Sequence, residues 1–250
     1  MDEFFNKNYD IDYMFINEDL TSSFITIASK TQETSLLHSL KCGYPMEWFV
    51  KEQCGFVLTG WNCEILSYPK WAETINIATW PTKFQNMLAH RSFLGRNMDG
   101  ETIFKTDSDW VLMSLKDKKP LRIPQEMYDR YAPTGEPVIG EKIRIPQCDD
   151  YDFIARQDIL VTRQYIDSNH HVNNISYIVW AMDIIPADYY SQCEPAKIMV
   201  KYNKESRLGD ELYSEVYRKE NKFYVCIKSK LNDEIRCTLH MEWRNKAISD

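Results

Sequence analysis

From Asp167 to Asn174 the chain reads Asp-Ser-Asn-His-His-Val-Asn-Asn, an acid, two imidazoles and three carboxamides within eight residues. The stretch that follows, Ile175-Ser176-Tyr177-Ile178-Val179-Trp180, is strongly apolar. Ile175, Ile178, Val179, Met182 and Ile185 fall at i, i+3, i+4, i+7 and i+10. That spacing predicts a helix over 173–185, with Asn173 as its N-cap and Pro186 as its stop. The polar cluster therefore sits at a helix N-terminus, where unpaired backbone N–H groups favour negative charge. Charge of that kind develops on the carbonyl oxygen of an ester or thioester under attack.

Placing such a cluster requires a scaffold, and the chain supplies two similar ones. Tyr13 to Ile16 reads as a short first strand, and residues 1–12 carry no pattern. A helix begins at Ser22 or Ser23, with Phe24, Ile27, Ala28 and Thr31 on one face, then Leu36, Leu37 and Leu40; Gly43 and Pro45 end it. Residues 44–55 form a loop or short helical insert. Strands follow at Phe56 to Leu66, at Ile75 to Trp80 (halted by Pro81), at His90 to Asn97 and at Thr102 to Leu115. Asp99-Gly100 marks a hairpin between the last two, and residues 116–120 a charged turn. Residues 131–150 hold three prolines and two glycines and read as a linker between a domain at 1–130 and another at 151–250. After the linker the order repeats: a strand from Ile159 to Ile166, the helix at 173–185, then strands at Lys197–Tyr202, Leu212–Tyr217, Phe223–Leu231 and Ile235–Trp243. One helix with a run of antiparallel strands, twice over, is an α+β pattern of two like domains.

Composition narrows the function classes. With 44% hydrophobic residues and eight glycines in 250 residues, the chain is an ordinary globular protein. A net charge of −7 argues against general nucleic-acid binding. The seven cysteines are odd in number, scattered, and contain no CxxC pair; they fit reduced thiols in a cytoplasmic enzyme better than disulfides or a metal site. No apolar run has the length of a membrane span.

The chain resembles the acyl-acyl-carrier-protein thioesterases of plant plastids and bacteria, from about Phe15 to Trp243. The residues that carry the resemblance are Asp167-x-Asn169-x-His171-Val172-Asn173-Asn174 with Tyr177 and Trp180, and Tyr202-x-x-Glu205-Ser206 with Gly209-Asp210. The first half adds Tyr68-Pro69-x-Trp71, Thr79-Trp80, Ser108-x-Trp110-Val111 and Arg122-Ile123-Pro124. The resemblance implies two tandem hotdog domains, each a long helix wrapped by a curved antiparallel sheet. It also implies hydrolysis of the thioester that joins a fatty acyl chain to the phosphopantetheine arm of acyl carrier protein. No metal or organic cofactor is implied beyond the arm that the substrate carries. Asp167, Asn169, His171 and Glu205 match the family's functional positions. Ser206 stands where plant members have a cysteine, which weakens any thiol mechanism and leaves one built on Glu205 intact.

On this reading Glu205 is the base, made stronger if water is removed from around it. Asn169 holds the water or the carbonyl oxygen, and His171 orients Glu205 or the water and protonates the departing thiolate. Asp167 fixes the loop, and the N–H groups around Val172, Asn173 and Asn174 polarise the carbonyl. The first helix has only Thr21-Ser22-Ser23 at its start, so one active site per chain is expected, in the second domain. His38 and His90 read as structural. By resemblance the first domain supplies the acyl pocket, with Ile27, Thr31, Leu36, Trp48 and Phe56 as candidates. Lys201, Lys204 and Arg207 are the favoured docking cations for an acidic carrier protein, ahead of Lys116, Lys118, Lys119 and Arg122. A homodimer is left open. The alternatives are a hotdog acyl-CoA thioesterase, a hotdog dehydratase, which the combined Asn, His and Glu pattern fits less well, and a non-catalytic acyl-binding protein.

Overall fold

A computed structural model describes residues 4–246. The chain splits into two compact units, Met1–Lys142 and Ile143–Asp250. The first contains β1 (Phe5–Asp10), α1 (Phe24–Lys41), α2 (Met46–Lys51), β2 (Cys54–Ile65), β3 (Thr74–Gln85), β4 (Leu88–Asn97), β5 (Thr102–Ser114) and α3 (Gln125–Tyr131). The second contains β6 (Asp152–Leu160), a 3-10 turn at Arg163–Tyr165, α4 (Asn174–Asp183), α5 (Ala187–Gln192), β7 (Cys193–Tyr202), β8 (Glu211–Lys219), β9 (Lys222–Ser229) and β10 (Ile235–Asn245). Within the first unit the strands lie in the order β1-β3-β4-β5-β2, and within the second in the order β6-β8-β9-β10-β7. All pairings within each unit are antiparallel. Substituting β6 to β10 for β1 to β5 turns one order into the other, so the two units share one topology.

Each helix buries one side against its sheet. In the first unit Phe24, Ile27, Ala28 and Thr31 of α1 are buried, as are Ile77, Phe93 and Phe104 of the sheet. In the second, Ile178 and Ala181 of α4 are buried, as are Val216, Val225, Ile227 and Leu239. Burial of each such aliphatic side chain contributes on the order of 1.5–3 kcal/mol. A smaller cluster of Tyr44, Phe49, Cys54, Leu112, Met127 and Tyr131 ties α2 and α3 to the first sheet. Its Tyr44 and Tyr131 rings stack with centroids 5.5 Å apart. No helix among the described residues is long and apolar enough to cross a membrane.

Asp107 of β5 anchors the segment after α3. Its carboxylate accepts the backbone N–H groups of Val138 (3.1 Å), Ile139 (3.0 Å) and Gly140 (2.8 Å) and the Ser92 hydroxyl (2.6 Å). Three consecutive amides on one buried carboxylate hold this stretch without any secondary structure of its own.

At Gly95 the first sheet has no room for a side chain. A Cβ there would lie 2.1 Å from Phe104 Cε1 and 2.4 Å from Cδ1, and the Phe104 ring is fully buried. Gly95→Ala is therefore expected to cost roughly 1–3 kcal/mol by overpacking. Differential scanning calorimetry should show a melting temperature lower by several degrees, and an unchanged one would mean that the ring yields freely.

Several elements depart from the sequence reading. The first strand is Phe5–Asp10 and not Tyr13–Ile16, which forms a turn that ends at an isolated Ile16–Ser22 bridge. Phe-Asn-Lys-Asn-Tyr-Asp is an edge strand with one buried side chain, so it shows no apolar alternation. The strand placed at Ile159–Ile166 is Asp152–Leu160, again an exposed edge strand. Pro81 does not end β3. It lies at a register shift beyond the last β1 pairing, Phe5 with Thr79, where no N–H is required of it. The helices α3 and α5 are additions. On α1 the buried face continues through Thr34 and Ser35, while Leu36 and Leu40 are exposed.

Candidate active site

The Asp167–Asn174 segment folds into a closed loop at the start of α4. Ile166 and Val172 form a bridge, the Asp167 N–H donates to the His171 carbonyl (2.9 Å), and the His170 N–H to the Asp167 carbonyl (3.1 Å). His170 takes a positive φ of 62°, which turns the chain back just before His171. Asp167 Oδ1 accepts from the N–H groups of Asn169 (2.8 Å) and His171 (3.3 Å), so this carboxylate organises the loop from inside. Asn169 Nδ2 lies 3.5 Å from Asp167 Oδ2, and Asn169 is exposed. Asn173 caps α4 through its side chain, accepting from the Ile175 N–H (2.9 Å).

A second loop, between β7 and β8, meets the first. The Val172 N–H donates to the Ser206 carbonyl at 2.9 Å, which sets Glu205 beside His171. His171 Nε2 lies 3.1 Å from Glu205 Oε2, and Arg207 Nη2 donates to Glu205 Oε1 at 3.0 Å. An ionised carboxylate only accepts, so an ionised Glu205 would accept a hydrogen bond from a proton held on His171 Nε2. The His171 side chain is 19% exposed and that of Glu205 40%, so the pair faces solvent. Glu205 thus lies between the imidazole and the Arg207 guanidinium and remains reachable by water.

Arg236 of β10 supports this arrangement, and nothing in the sequence pattern pointed to it. Its Nη1 reaches the Glu205 carbonyl (3.3 Å) and the Glu234 carboxylate (3.2 Å), and its own carbonyl accepts the N–H groups of Asn203 and Lys204. An Arg six residues into a charged hairpin reads as a solvated cation, yet its side chain is only 11% exposed. Beneath the loops, the Tyr202 hydroxyl donates to the Asn174 carbonyl (3.1 Å), and the Tyr177 ring packs on Trp180 and Tyr202. Burial pushes the Tyr177 and Tyr202 hydroxyls well above the usual phenol range, so both stay protonated.

Other candidates are corrected. The Val172 and Asn173 N–H groups are already donated, to Ser206 and Tyr165. They cannot serve an oxyanion. In the first turn that leaves the Asn174 N–H without a protein acceptor among the described residues. Ser206 is completely buried, which excludes its hydroxyl as a nucleophile in this geometry. Lys204 is paired with Glu234 (2.7 Å) and Arg207 with Glu205, so both cations are largely spent within the chain. Among the acyl-pocket candidates, Ile27 and Thr31 are buried under α1 and Leu36 is exposed on its outer side. Trp48 and Phe56 pack on the separate Tyr44–Tyr131 cluster.

Two α+β units of identical strand order, each with one main helix on a curved antiparallel sheet, are tandem hotdog domains. The chain belongs to the acyl-ACP thioesterase family: the model of the family's N-terminal domain matches residues 2–131, and that of its C-terminal domain matches residues 151–245. An acyl-[acyl-carrier-protein] hydrolase of Cuphea viscosissima chloroplasts is 27% identical over 221 residues, covering 84% of this chain and 54% of its own length. The chloroplastic palmitoyl-acyl carrier protein thioesterase of Arabidopsis thaliana is 26% identical, covering 80% and 52%. The chain spans about half the length of these curated relatives. In fold it is similar to the 12:0-ACP thioesterase from Umbellularia californica (TM-score 0.85, 21% identity, 97% of both chains). It is equally similar to an acyl-ACP thioesterase from Bacteroides thetaiotaomicron (TM-score 0.84, 21% identity, 96% of this chain and 97% of that one).

Proposed function

We propose that the chain hydrolyses the thioester between a fatty acyl chain and acyl carrier protein, releasing the free acid and the carrier's thiol. The observation that supports this most is the 3.1 Å His171–Glu205 pair at the start of α4. Glu205 takes a proton from a water that attacks the carbonyl carbon; the C–O bond forms and the carbonyl oxygen gains charge. That oxygen faces the Asn174 N–H and the Asn169 amide; losing one donor of this kind typically costs about 3 kcal/mol. Collapse breaks the C–S bond, and the proton on His171 Nε2 passes to the departing thiolate while Glu205 returns its own to the imidazole. Asp167 acts by shaping the loop.

The carrier protein is acidic, and within the favoured trio Lys201 is the cation that makes no ion pair with a described residue; it is proposed as the docking charge. Free-thiol release from matched acyl-carrier-protein and acyl-CoA substrates, medium and long, tests the reading. Faster turnover of the carrier-bound pair is expected, by tenfold or more in kcat/KM. Equal or better use of acyl-CoA would move the protein to the CoA-dependent class, and release from neither would reject hydrolysis.

A further inference from the structure

Arg207 follows Glu205 by two residues, and the backbone on either side of it is fixed. Before it, Ser206 is fully buried and its carbonyl accepts the Val172 N–H. After it, residues 207–210 close a turn: the Arg207 N–H donates to Asp210 Oδ2 (2.9 Å) and the Asp210 N–H to the Arg207 carbonyl (3.0 Å). Gly209 supplies the positive φ of that turn (86°). Just past the end of β6, Val161 ties the turn down: its carbonyl accepts the Gly209 N–H and its N–H donates to the Asp210 carbonyl, both at 3.0 Å. The guanidinium thus extends from a held backbone. Its Nη2 meets Glu205 Oε1 at 3.0 Å while Glu205 Oε2 lies 3.1 Å from His171 Nε2. Each carboxylate oxygen has a neighbour of its own, which sets the rotation of the group.

The other charges around the pair are engaged with one another or with the backbone. Lys204 Nζ reaches both carboxylate oxygens of Glu234 (2.7 and 2.8 Å). Arg236 Nη1 lies on the Glu205 backbone carbonyl and on Glu234. Asp210 accepts the Arg207 N–H, and Asp167 those of Asn169 and His171. A cation against a carboxylate favours its ionised form and disfavours protonation of an adjacent imidazole. Taking that cation away therefore raises the pH at which both groups gain a proton, and a base that must be ionised to work is lost sooner on acidification. Carboxylate and imidazole are in contact and titrate as a pair, so the displacement belongs to both. The Arg207 side chain is 60% exposed and that of Glu205 40%, so solvent and salt weaken the coupling without removing it.

We propose that Arg207 is a positioning residue for the hydrolysis: its guanidinium holds the Glu205 carboxylate turned toward His171 and keeps it charged. The consequence for turnover rests on the hydrolase reading above; the coupling of Arg207 to Glu205 does not. The test substrate is octanoyl-pantetheine, which carries no protein and so removes docking from the comparison. Arg207→Gln keeps a polar side chain and removes the charge. Its acid limb of kcat/KM should lie higher than the parent's by about half a pH unit to one unit, its plateau should fall a few-fold through kcat, and KM should change little. Arg207→Lys, which keeps the charge, should bring most of the limb back, and high salt should narrow the gap between parent and Arg207→Gln. An acid limb that stays in place in Arg207→Gln would overturn the proposal. If only KM for octanoyl-carrier protein rose, Arg207 would be a docking cation instead. Carbon-13 NMR titration of the Glu205 carboxyl asks the same question without turnover: a higher midpoint in Arg207→Gln supports the coupling, and equal midpoints reject it. A parent chain that releases thiol from neither octanoyl-pantetheine nor octanoyl-carrier protein would defeat the hydrolase reading, while the NMR titration would still decide what Arg207 does to Glu205.

Discussion

Glu205→Gln is expected to lower kcat for thiol release by about a thousandfold, within the range found for loss of a general base. The amide keeps the shape of the carboxylate and can still accept from Arg207, so the loop should hold its geometry. What it loses is the ability to take a proton from water. Because that proton moves only in the transition state, KM should change little while kcat and kcat/KM fall together. A thousandfold corresponds to about 4 kcal/mol of transition-state stabilisation. Ser206→Ala serves as the control: its hydroxyl is buried, and turnover within about threefold of the parent is expected, in keeping with the small effects of changes outside the reacting groups. Steady-state thiol release by both variants decides the matter. A Glu205→Gln rate near that of the parent would remove Glu205 from the chemistry; a dead Ser206→Ala chain would restore the hydroxyl to it.

The second large effect concerns stability against pH. His38 of α1 is half-buried, and its Nδ1 accepts from Arg91 Nη1 at 2.9 Å, a bond that requires Nδ1 to be unprotonated. Burial, with the charges of Arg91 and Lys41, lowers the His38 pKa from 6.5 to about 3. An unfolded chain would protonate this residue near pH 6.5, whereas the folded one does not. As the pH falls from about 6.5 toward 3 the unfolded state therefore binds the extra proton, and folding stability declines by on the order of a few kcal/mol. Above pH 6.5 neither state is protonated and the contribution is flat. His240, whose pKa burial also lowers, adds a smaller slope of the same sign. Urea midpoints at pH 7, 6, 5 and 4 for the parent and His38→Gln should diverge as the pH drops, with the variant the flatter. Parallel curves between pH 6.5 and 5 would mean that His38 titrates normally in the fold.

Much of the architecture was legible because it rests on patterns that water imposes. Phe24, Ile27, Ala28 and Thr31 repeat at helical spacing because they face a sheet, and the loop at Asp167 stands out because six of its eight residues are polar groups of functional kind. Edge strands were not legible. Phe5–Asp10 and Asp152–Leu160 are held by backbone pairing with little burial, and pairing leaves no side-chain signature. Leu36 and Leu40 misled for the opposite reason: a leucine on the outer face of α1 reads like core, while Thr34 and Ser35, which are buried, read like surface. At the site, Glu205 was visible only through a motif, since its meeting with His171 depends on the Val172–Ser206 bond between two loops. The engagement of the Val172 and Asn173 amides, and the reach of Arg236 under Glu205, are tertiary facts with no one-dimensional trace.

The loops before α1 and α4 share one frame. Ile16 bridges Ser22 as Ile166 bridges Val172, Leu20 and His170 both take a positive φ, and Ser22 donates to Pro69 as Val172 does to Ser206. That frame bears on how such a chain can change over generations. In a symmetric pair of identical subunits one gene writes both copies of every loop, so a substitution that alters one site alters its mate. Here the two copies are encoded separately, and the segment around Thr21 and Tyr68 can drift or specialise without touching His171 or Glu205. Thr21 and Tyr68 stand where the second copy has His171 and Glu205, while the backbone bonds of the two loops match nearly bond for bond. Fusion of the two units converts a constraint of symmetry into room for divergence.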